Sequence, residues 1–328
     1  MATVPRDWKR LRRCVVPAVG VGLSVAGLVY VYRDFDLQAL LASVARIRFL
    51  PLLGTVAAYW LGTVILRAFL VRHLLEPLGR VSVVGAYRYI CIGFLANNVL
   101  PFRAGDVARS AAIHKGAGLP FPSVVGSLAL ERMLDMGMVA VIAFLALQVA
   151  PLPTLVRTAA LGTAAAVVVG LVVVVFLARL EWREADAERR GPIRAFFWNT
   201  WVRFSAGLKA MASPRTIAVS IGLIVVVWAA ALVAMWFRLE AFSLDATPSL
   251  ALTFLTCLGF GVAIPSAPGY VGVYHAAAAF ALELHGVDHA TAAGFAMFSW
   301  LVDVGVSSAL GAVSLSIEGV RLADLTKR

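Results

Sequence analysis

Residues 155–178 are an almost unbroken run of valine, alanine and leucine, and several other apolar runs in the chain approach this length. A helix needs about 20 apolar residues to cross the hydrocarbon core of a bilayer. The whole chain is 61% apolar and 14% charged, whereas soluble domains are roughly half apolar and a quarter charged. Because lipid offers the backbone no water and a helix satisfies its own polar groups, we predict an all-α polytopic membrane protein.

The chain is predicted to form a single membrane domain, residues 1–328, with about six full transmembrane helices. These spans are approximately residues 14–32, 50–71, 120–149, 155–178, 216–237 and 290–317. Basic residues cluster before the first span and in the loops on the same side, which the positive-inside rule identifies as the cytoplasm. The net charge of +11 therefore indicates topology rather than nucleic-acid binding. We expect both termini in the cytoplasm and the protein in an inner membrane of the bacterial type.

A polar stretch at residues 94–109 interrupts the apolar runs with two asparagines, a proline, a glycine, an aspartate and two arginines. The flanking segments 82–98 and 106–117 are each too short or too polar to cross the bilayer. We predict that they form a re-entrant hairpin that turns at Pro101–Gly105. A broken backbone at membrane depth is tolerated only inside protein or beside a cavity.

A second pair of short segments, residues 249–264 and 270–285, has the same form. Pro265 and Gly269 repeat the spacing of the proline and glycine at the first break, and Pro268 lies between them. We therefore predict a second re-entrant hairpin, which enters the membrane from the opposite side.

The two hairpins divide the chain into similar halves, residues 14–149 and 155–317. Three crossings in each half require that the second half is inverted relative to the first, a design found in transporters. Residues 179–215 are the only long polar segment, and their apolar residues have helical spacing. We predict an amphipathic helix in the cytoplasmic interface; a solvated loop is the alternative.

The first break carries the charged candidates for substrate binding. Asp106 falls in the first turn of a helix, where a carboxylate either caps the helix or contacts substrate. Arg109 lies one turn further on and can pair with Asp106. Arg103, Arg109 and Lys115 nevertheless exceed the charge of this one carboxylate, and a guanidinium suits bidentate phosphate binding. Both interpretations stay open.

A second charged group, Glu131, Arg132 and Asp135, falls within the span at 120–149. An Arg132–Asp135 ion pair inside the helix bundle is the structural interpretation. The functional one places these residues in the same cavity as the arginines of the first break. In either case the side chains face protein rather than lipid.

Five further polar residues lie at or near the two breaks. Asn97 and Asn98 are expected either to satisfy freed backbone groups or to bind a headgroup. Tyr274 and His275 follow the second break, and His275 is either a packing residue or a proton-coupling one. Asp303, inside the last span, is a candidate partner for His275 or for an arginine.

Three motifs occur together in one order: Asn98–Arg109, Glu131–Asp135 and Ile264–Gly272. They resemble the flippase-like membrane domain of the lysylphosphatidylglycerol synthases and their stand-alone relatives, over nearly the whole chain. The resemblance implies a polytopic domain that handles lipids with polar headgroups. Family members often carry a glutamate where this chain has His275, so their usual substrate is not implied. The chain stops soon after the last span, and we expect the aminoacyl-transferase domain to be absent.

No Walker loop, HExxH, GxSxG or paired CxxC motif is present, and we predict no catalytic residue, cofactor or metal. The main hypothesis is a flippase-like transporter of an amphipathic, phosphate-bearing lipid, whose phosphate binds Arg103 and Arg109 in a cavity between the hairpins. The alternative is a membrane-embedded enzyme or accessory subunit acting on a lipid-linked sugar or isoprenoid phosphate, with Glu131, Asp135 and His275 as acid or base. The partners considered are membrane lipids, a separate lipid-modifying enzyme and a second copy of the chain.

Overall fold

The structure is a computed structural model that describes residues 20–33, 38, 47–100, 104–150, 152–180, 192–264 and 266–319. Within these ranges the secondary structure is helical and contains no strand. The helices are α1 Gly20–Tyr32, α2 Phe49–Leu75, α3 Val83–Val99, α4 Gly105–Ala117, α5 Phe121–Val149, α6 Thr154–Arg179, α7 Pro192–Leu208, α8 Pro214–Ala241, α9 Pro248–Ala263, α10 Val273–Glu283 and α11 His289–Ile317.

Five of these helices, α2, α5, α6, α8 and α11, are long and apolar enough to cross a membrane. Helices α1 and α9 are apolar but shorter, and residues 14–19 of the predicted first span lie outside the described residues. The all-α polytopic fold is therefore confirmed. One irregularity was not predicted, a π-helical segment at Trp60–Leu66 in the middle of α2. Segments of this kind widen a helix locally and occur often at functional sites.

At the first break, two short helices lie close to the predicted positions, and Gly105 begins the second of them, α4. Pro101 and Arg103 lie outside the described residues. The Oδ1 atom of Asn97 accepts a hydrogen bond of 2.9 Å from the backbone N–H of Gly105. A side chain at Gly105 would collide with the backbone of Gly93 and with Asn97. Asn97 thus satisfies a freed backbone group, which was one of its two expected roles.

The second break is held by α1 and α11. The N–H of Ala267 donates to Ser24 Oγ at 2.9 Å, and Trp300 Nε1 donates to the carbonyl of Gly269 at 2.6 Å. Gly269 and Gly272 have positive φ angles of 66° and 82°, which favour glycine. Pro265 lies outside the described residues, and Pro268 begins a short 3₁₀ turn.

In each half, the first helix at the break packs against the last long helix of the other half. Helix α3 of the first hairpin packs against α11, the last helix of the second half. In the same way α9 of the second hairpin packs against α5, the last helix of the first half. Helices α2 and α8, the long spans that precede the two hairpins, pack against each other.

The predicted amphipathic segment contains a helix, α7, which packs against α5. Ser205 and Leu208 are buried, whereas Phe196 and Phe197 are exposed. The helical interpretation of this part is confirmed over residues 192–208. Its position in the cytoplasmic interface stays a prediction, and residues 181–191 lie outside the described residues.

Replacing Gly272 by alanine is expected to destabilise the protein by more than the cost of its positive φ. An added Cβ would collide with the backbone of Ser24 in α1, and the φ of 82° with ψ of −59° at Gly272 costs a residue with a side chain about 1–3 kcal/mol by itself. Gly286→Ala is the control for a positive φ alone, because Gly286 has a φ of 78° and open space around it. Thermal unfolding in detergent should show a larger loss of Tm for Gly272→Ala; equal losses would contradict the α1 contact.

Candidate functional site

The first charged network joins α2, α4 and α5. Arg67 of α2 donates from Nη1 to Glu131 Oε1 at 2.9 Å and to Asp135 Oδ2 at 2.8 Å, and from Nη2 to Asp135 Oδ1 at 3.0 Å. Arg109 of α4 donates to both oxygens of Glu131. All four residues are buried, and Glu131 has no exposed surface. Glu131 is therefore shared by two arginines from different helices.

The same network extends to the first turn of α4. Arg132 binds Asp106 with two hydrogen bonds, of 3.0 Å from Nε and 2.5 Å from Nη2, and reaches Asp135 at 3.4 Å. Trp228 Nε1 of α8 donates to Asp135 at 3.2 Å. The expected Arg132–Asp135 pair is present but is the weaker contact. The local pair of Asp106 with Arg109, one of the interpretations left open, is not the one that forms, because Arg132 gives Asp106 a bidentate partner and Glu131 pairs with Arg109.

The charges of this network cancel, since three arginines face three carboxylates. The expected surplus of positive charge at the first break is therefore wrong for Arg109. The count considered only the neighbouring sequence, whereas the neutralising carboxylate of Glu131 lies 22 residues further along the chain. Arg103, the other proposed phosphate ligand, lies outside the described residues.

A second, smaller network joins α8, α10 and α11. Arg238 donates from Nη2 to Asp303 Oδ1 at 2.6 Å and from Nη1 to Asp303 Oδ2 at 3.1 Å. The hydroxyl of Tyr274 donates to Asp303 at 2.7 Å and accepts from Arg238 at 3.2 Å. Two partners were considered for Asp303, an arginine and His275. The arginine, Arg238, is the one that binds it.

His275 and Asn98 both make contacts with other residues of the protein. His275 is 2% exposed, and its Nδ1 accepts from the N–H of Gly272 at 3.3 Å. Its ring also contacts Tyr32 and Trp300. Asn98 donates to the hydroxyls of two serines on α11, Ser307 and Ser308, at 2.9 Å each. For His275 the geometry matches the packing interpretation, and proton coupling stays a prediction.

A cavity of about 190 Å³ lies between α2 and α8 and brings the two networks together. Its polar lining comprises Tyr59, Thr63, Arg67, Trp228, Arg238 and Asp303, and the rest is apolar. Arg67 directly follows the π-helical segment of α2. The predicted polar cavity around Arg109, Glu131 and Asp135 is not the one observed, because none of these three residues lines it. Arg67 is the member of the first network that reaches this cavity.

Arg67 and Arg238 were missed at the sequence level. Arg67 falls inside a predicted span, and Arg238 was assigned to an outside loop. A signal for both existed in the sequence. Each half has an arginine on the span before its hairpin and an aspartate on the span after it, separated by 68 residues for Arg67 and Asp135 and by 65 for Arg238 and Asp303.

Breaking the Arg109–Glu131 pair on one side should destabilise the protein strongly. Loss of one partner of a buried ion pair costs about 3–5 kcal/mol, because the other charge is left uncompensated. We expect Arg109→Met and Glu131→Gln each to lower Tm sharply, and the double variant to lose much less than the two losses combined. The half-exposed pair Arg88–Glu318 is the control, and its variants should cost about 1 kcal/mol or less. Additive losses for Arg109 and Glu131 would contradict direct coupling.

The comparisons with known proteins identify the family. The family model described as the lysylphosphatidylglycerol synthase TM region matches residues 18–311, which include both charged networks. No curated protein and no solved structure matches this chain significantly. The match extends over most of the chain and agrees with the three sequence motifs. The chain therefore belongs to the family of the lysylphosphatidylglycerol synthase transmembrane region.

Proposed function

We propose that this protein is a flippase-like lipid transporter, which moves an amphipathic, phosphate-bearing lipid across the membrane between its two hairpins. Family membership gives the protein a role related to membrane lipids. The observation that carries the transport proposal is the cavity between α2 and α8, which Arg67 of one buried charged network and Arg238 and Asp303 of the other line. Ionisable side chains inside membrane helices are costly and mark substrate pathways.

An inverted repeat of residues 14–149 and 155–317 is part of this proposal. The crossed packing of α3 on α11 and of α9 on α5 supports it. So does the recurrence of an arginine–aspartate pair between corresponding helices, α2 with α5 and α8 with α11. In such a repeat the hairpins are re-entrant from opposite sides and meet near the midplane.

In the proposed pathway the lipid phosphate first meets Arg103 and Arg109 at the first break. In this exchange the phosphate takes the place of Glu131 on Arg109, and Glu131 keeps its 2.9 Å contact with Arg67. The network is neutral before the lipid arrives, so the charge of the phosphate is balanced by the further arginine of the break, Arg103. The acyl chains stay in the bilayer.

An enzymatic role is less well supported by the geometry. Glu131 and Asp135 each accept hydrogen bonds from two arginines. Such partners stabilise the ionised carboxylate, which is then a poor proton donor. We therefore propose structural and gating roles for these two residues in place of acid–base catalysis.

Arg109 variants test the proposed headgroup contact. In proteoliposomes carrying a fluorescent phosphatidylglycerol tracer, Arg109→Ala should lose most transport. Arg109→Lys should recover only part, because lysine keeps the charge without the bidentate geometry. Rates are compared per folded protein, measured by size exclusion, so that loss of stability is counted separately. Wild-type transport by Arg109→Ala would favour the accessory-subunit alternative.

The proposed topology is tested with single cysteines on either side of α8. Ser213→Cys should label from the cytoplasmic face and Thr247→Cys from the opposite face, since they flank one full span. Cys14, Cys91 and Cys257 are first replaced by serine or alanine. Labelling of both positions from one face would contradict the inverted repeat.

A further inference from the structure

Two hydroxyl groups of α2 open into the cavity between α2 and α8. Tyr59 and Thr63 line this cavity together with Arg67, so these three residues, each four apart, share one face of the helix. Neither hydroxyl has a hydrogen-bond partner among the described residues. Both are open to a molecule the size of water, in contrast to the enclosed Nε atoms of Arg67 and Arg238. The two hydroxyls are therefore available to a ligand.

Asp303 adds an acceptor to the same cavity. A carboxylate accepts about four hydrogen bonds, and Asp303 accepts three, two from Arg238 and one from Tyr274. Its Oδ1 atom accepts only one of the three, and its side chain keeps 18% exposure. The cavity thus offers two hydroxyls and one carboxylate oxygen.

These three groups match a ligand that carries several hydroxyls. A hydroxyl both donates and accepts, so it pairs with Tyr59 or Thr63 in either direction and also donates to Asp303. An oxyanion has only acceptors and gives Asp303 nothing, whereas an ammonium has only donors and leaves the O–H groups of Tyr59 and Thr63 without an acceptor. A ligand that replaces ordered water keeps its affinity only when it reproduces the hydrogen bonds of that water, and a hydroxyl does so.

The charge around the cavity favours the same class of ligand. Arg238 and Asp303 neutralise each other, and the network that contains Arg67 has three arginines and three carboxylates. An ion in the cavity would therefore be an uncompensated charge in the protein interior, which is costly. A hydroxylated group carries no charge and avoids this cost.

The shape and the remaining walls of the cavity fit a small polar group with a carbon skeleton. The other lining residues are mostly apolar and include Trp228 and Phe254. Ligand pockets commonly combine such walls with a few placed polar groups. The volume of about 190 Å³ corresponds to roughly six water molecules at ~30 Å³ each, which is enough for a glycerol or a sugar unit but not for acyl chains.

We propose that the cavity between α2 and α8 binds the hydroxylated headgroup of a lipid through Tyr59, Thr63 and Asp303. This headgroup is the glycerol of a phospholipid or the sugar of a glycolipid, since both carry neighbouring hydroxyls. The inference rests on the proposed function, because it names the headgroup class of the transported lipid. The acyl chains, and the phosphate of a phospholipid, stay outside the cavity, which has no surplus positive charge.

Binding is measured by ligand-dependent thermal unfolding, without any transport step, so that its failure is distinct from failure of the transporter proposal. The protein is kept in an amine-oxide detergent, because the headgroups of maltoside detergents carry hydroxyls themselves. The probes are short-chain forms of phosphatidylglycerol, glucosyl diacylglycerol, phosphatidylethanolamine and phosphatidic acid. Only the first two have headgroups with neighbouring hydroxyls.

Wild-type protein should bind one or both of the hydroxylated lipids about ten-fold more tightly than the ethanolamine lipid and phosphatidic acid. A factor of ten corresponds to about 1.4 kcal/mol, close to the net value of one hydrogen bond. The tighter of the two identifies the source of the hydroxyls, and a preference for the glucosyl lipid would also revise the phosphate part of the proposed function. Equal affinity for all four lipids, or tighter binding of either lipid without hydroxyls in its headgroup, would overturn the proposal.

Two variants of the same shape test the hydroxyls of α2. Tyr59→Phe and Thr63→Val each remove one hydroxyl that has no partner among the described residues, so both should keep the wild-type Tm without ligand. Each should weaken binding of the preferred lipid about ten-fold. Tyr89→Phe and Thr158→Val lie outside the cavity and should bind as wild type does. Wild-type affinity in both Tyr59→Phe and Thr63→Val would overturn the site.

Discussion

The structure depends most on how Glu131 is compensated inside the membrane domain. Its carboxylate is fully buried and is shared by Arg67 of α2 and Arg109 of α4. Taking such charges out of water costs several kcal/mol for each ion, and the attraction between them repays this only when the geometry is good. Packed hydrophobic residues would fill the same space at no such cost. We therefore propose that the network serves function and not stability.

The second network shows that this solution occurs twice. Arg238 and Asp303 take the positions in the second half that Arg67 and Asp135 take in the first, and both arginines reach one cavity. Helices α2 and α8 pack directly against each other, so the two arginines come from neighbouring helices. The cavity is thus lined by the long helix that precedes each break, which is the arrangement that the proposed inverted repeat predicts.

The sequence predicts the helices well and their partners poorly. The lengths of the apolar runs predicted the long spans, and the proline and glycine residues predicted the breaks before α4 and α10. Both features are local in the sequence, so they are visible without knowledge of the fold. Ion pairs are not local: Arg67 meets Asp135 across 68 residues. The pairing of Asp106 illustrates the difference, since the sequence suggested only the neighbour Arg109 as a partner and the more distant Arg132 binds it. The π-helical segment before Arg67 gave no recognisable sequence signal.

Arginine at positions 67 and 238 is explained by the geometry of its partners. Each guanidinium binds both oxygens of an aspartate through Nη1 and Nη2. The second hydrogen of Nη1 reaches a further acceptor, which is Glu131 for Arg67 and the Tyr274 hydroxyl for Arg238. A lysine ammonium keeps the charge but lacks the planar fork that binds both oxygens of a carboxylate. Each arginine therefore fixes the long helix before one break to the long helix after it, a long-range constraint that local sequence signals do not reveal.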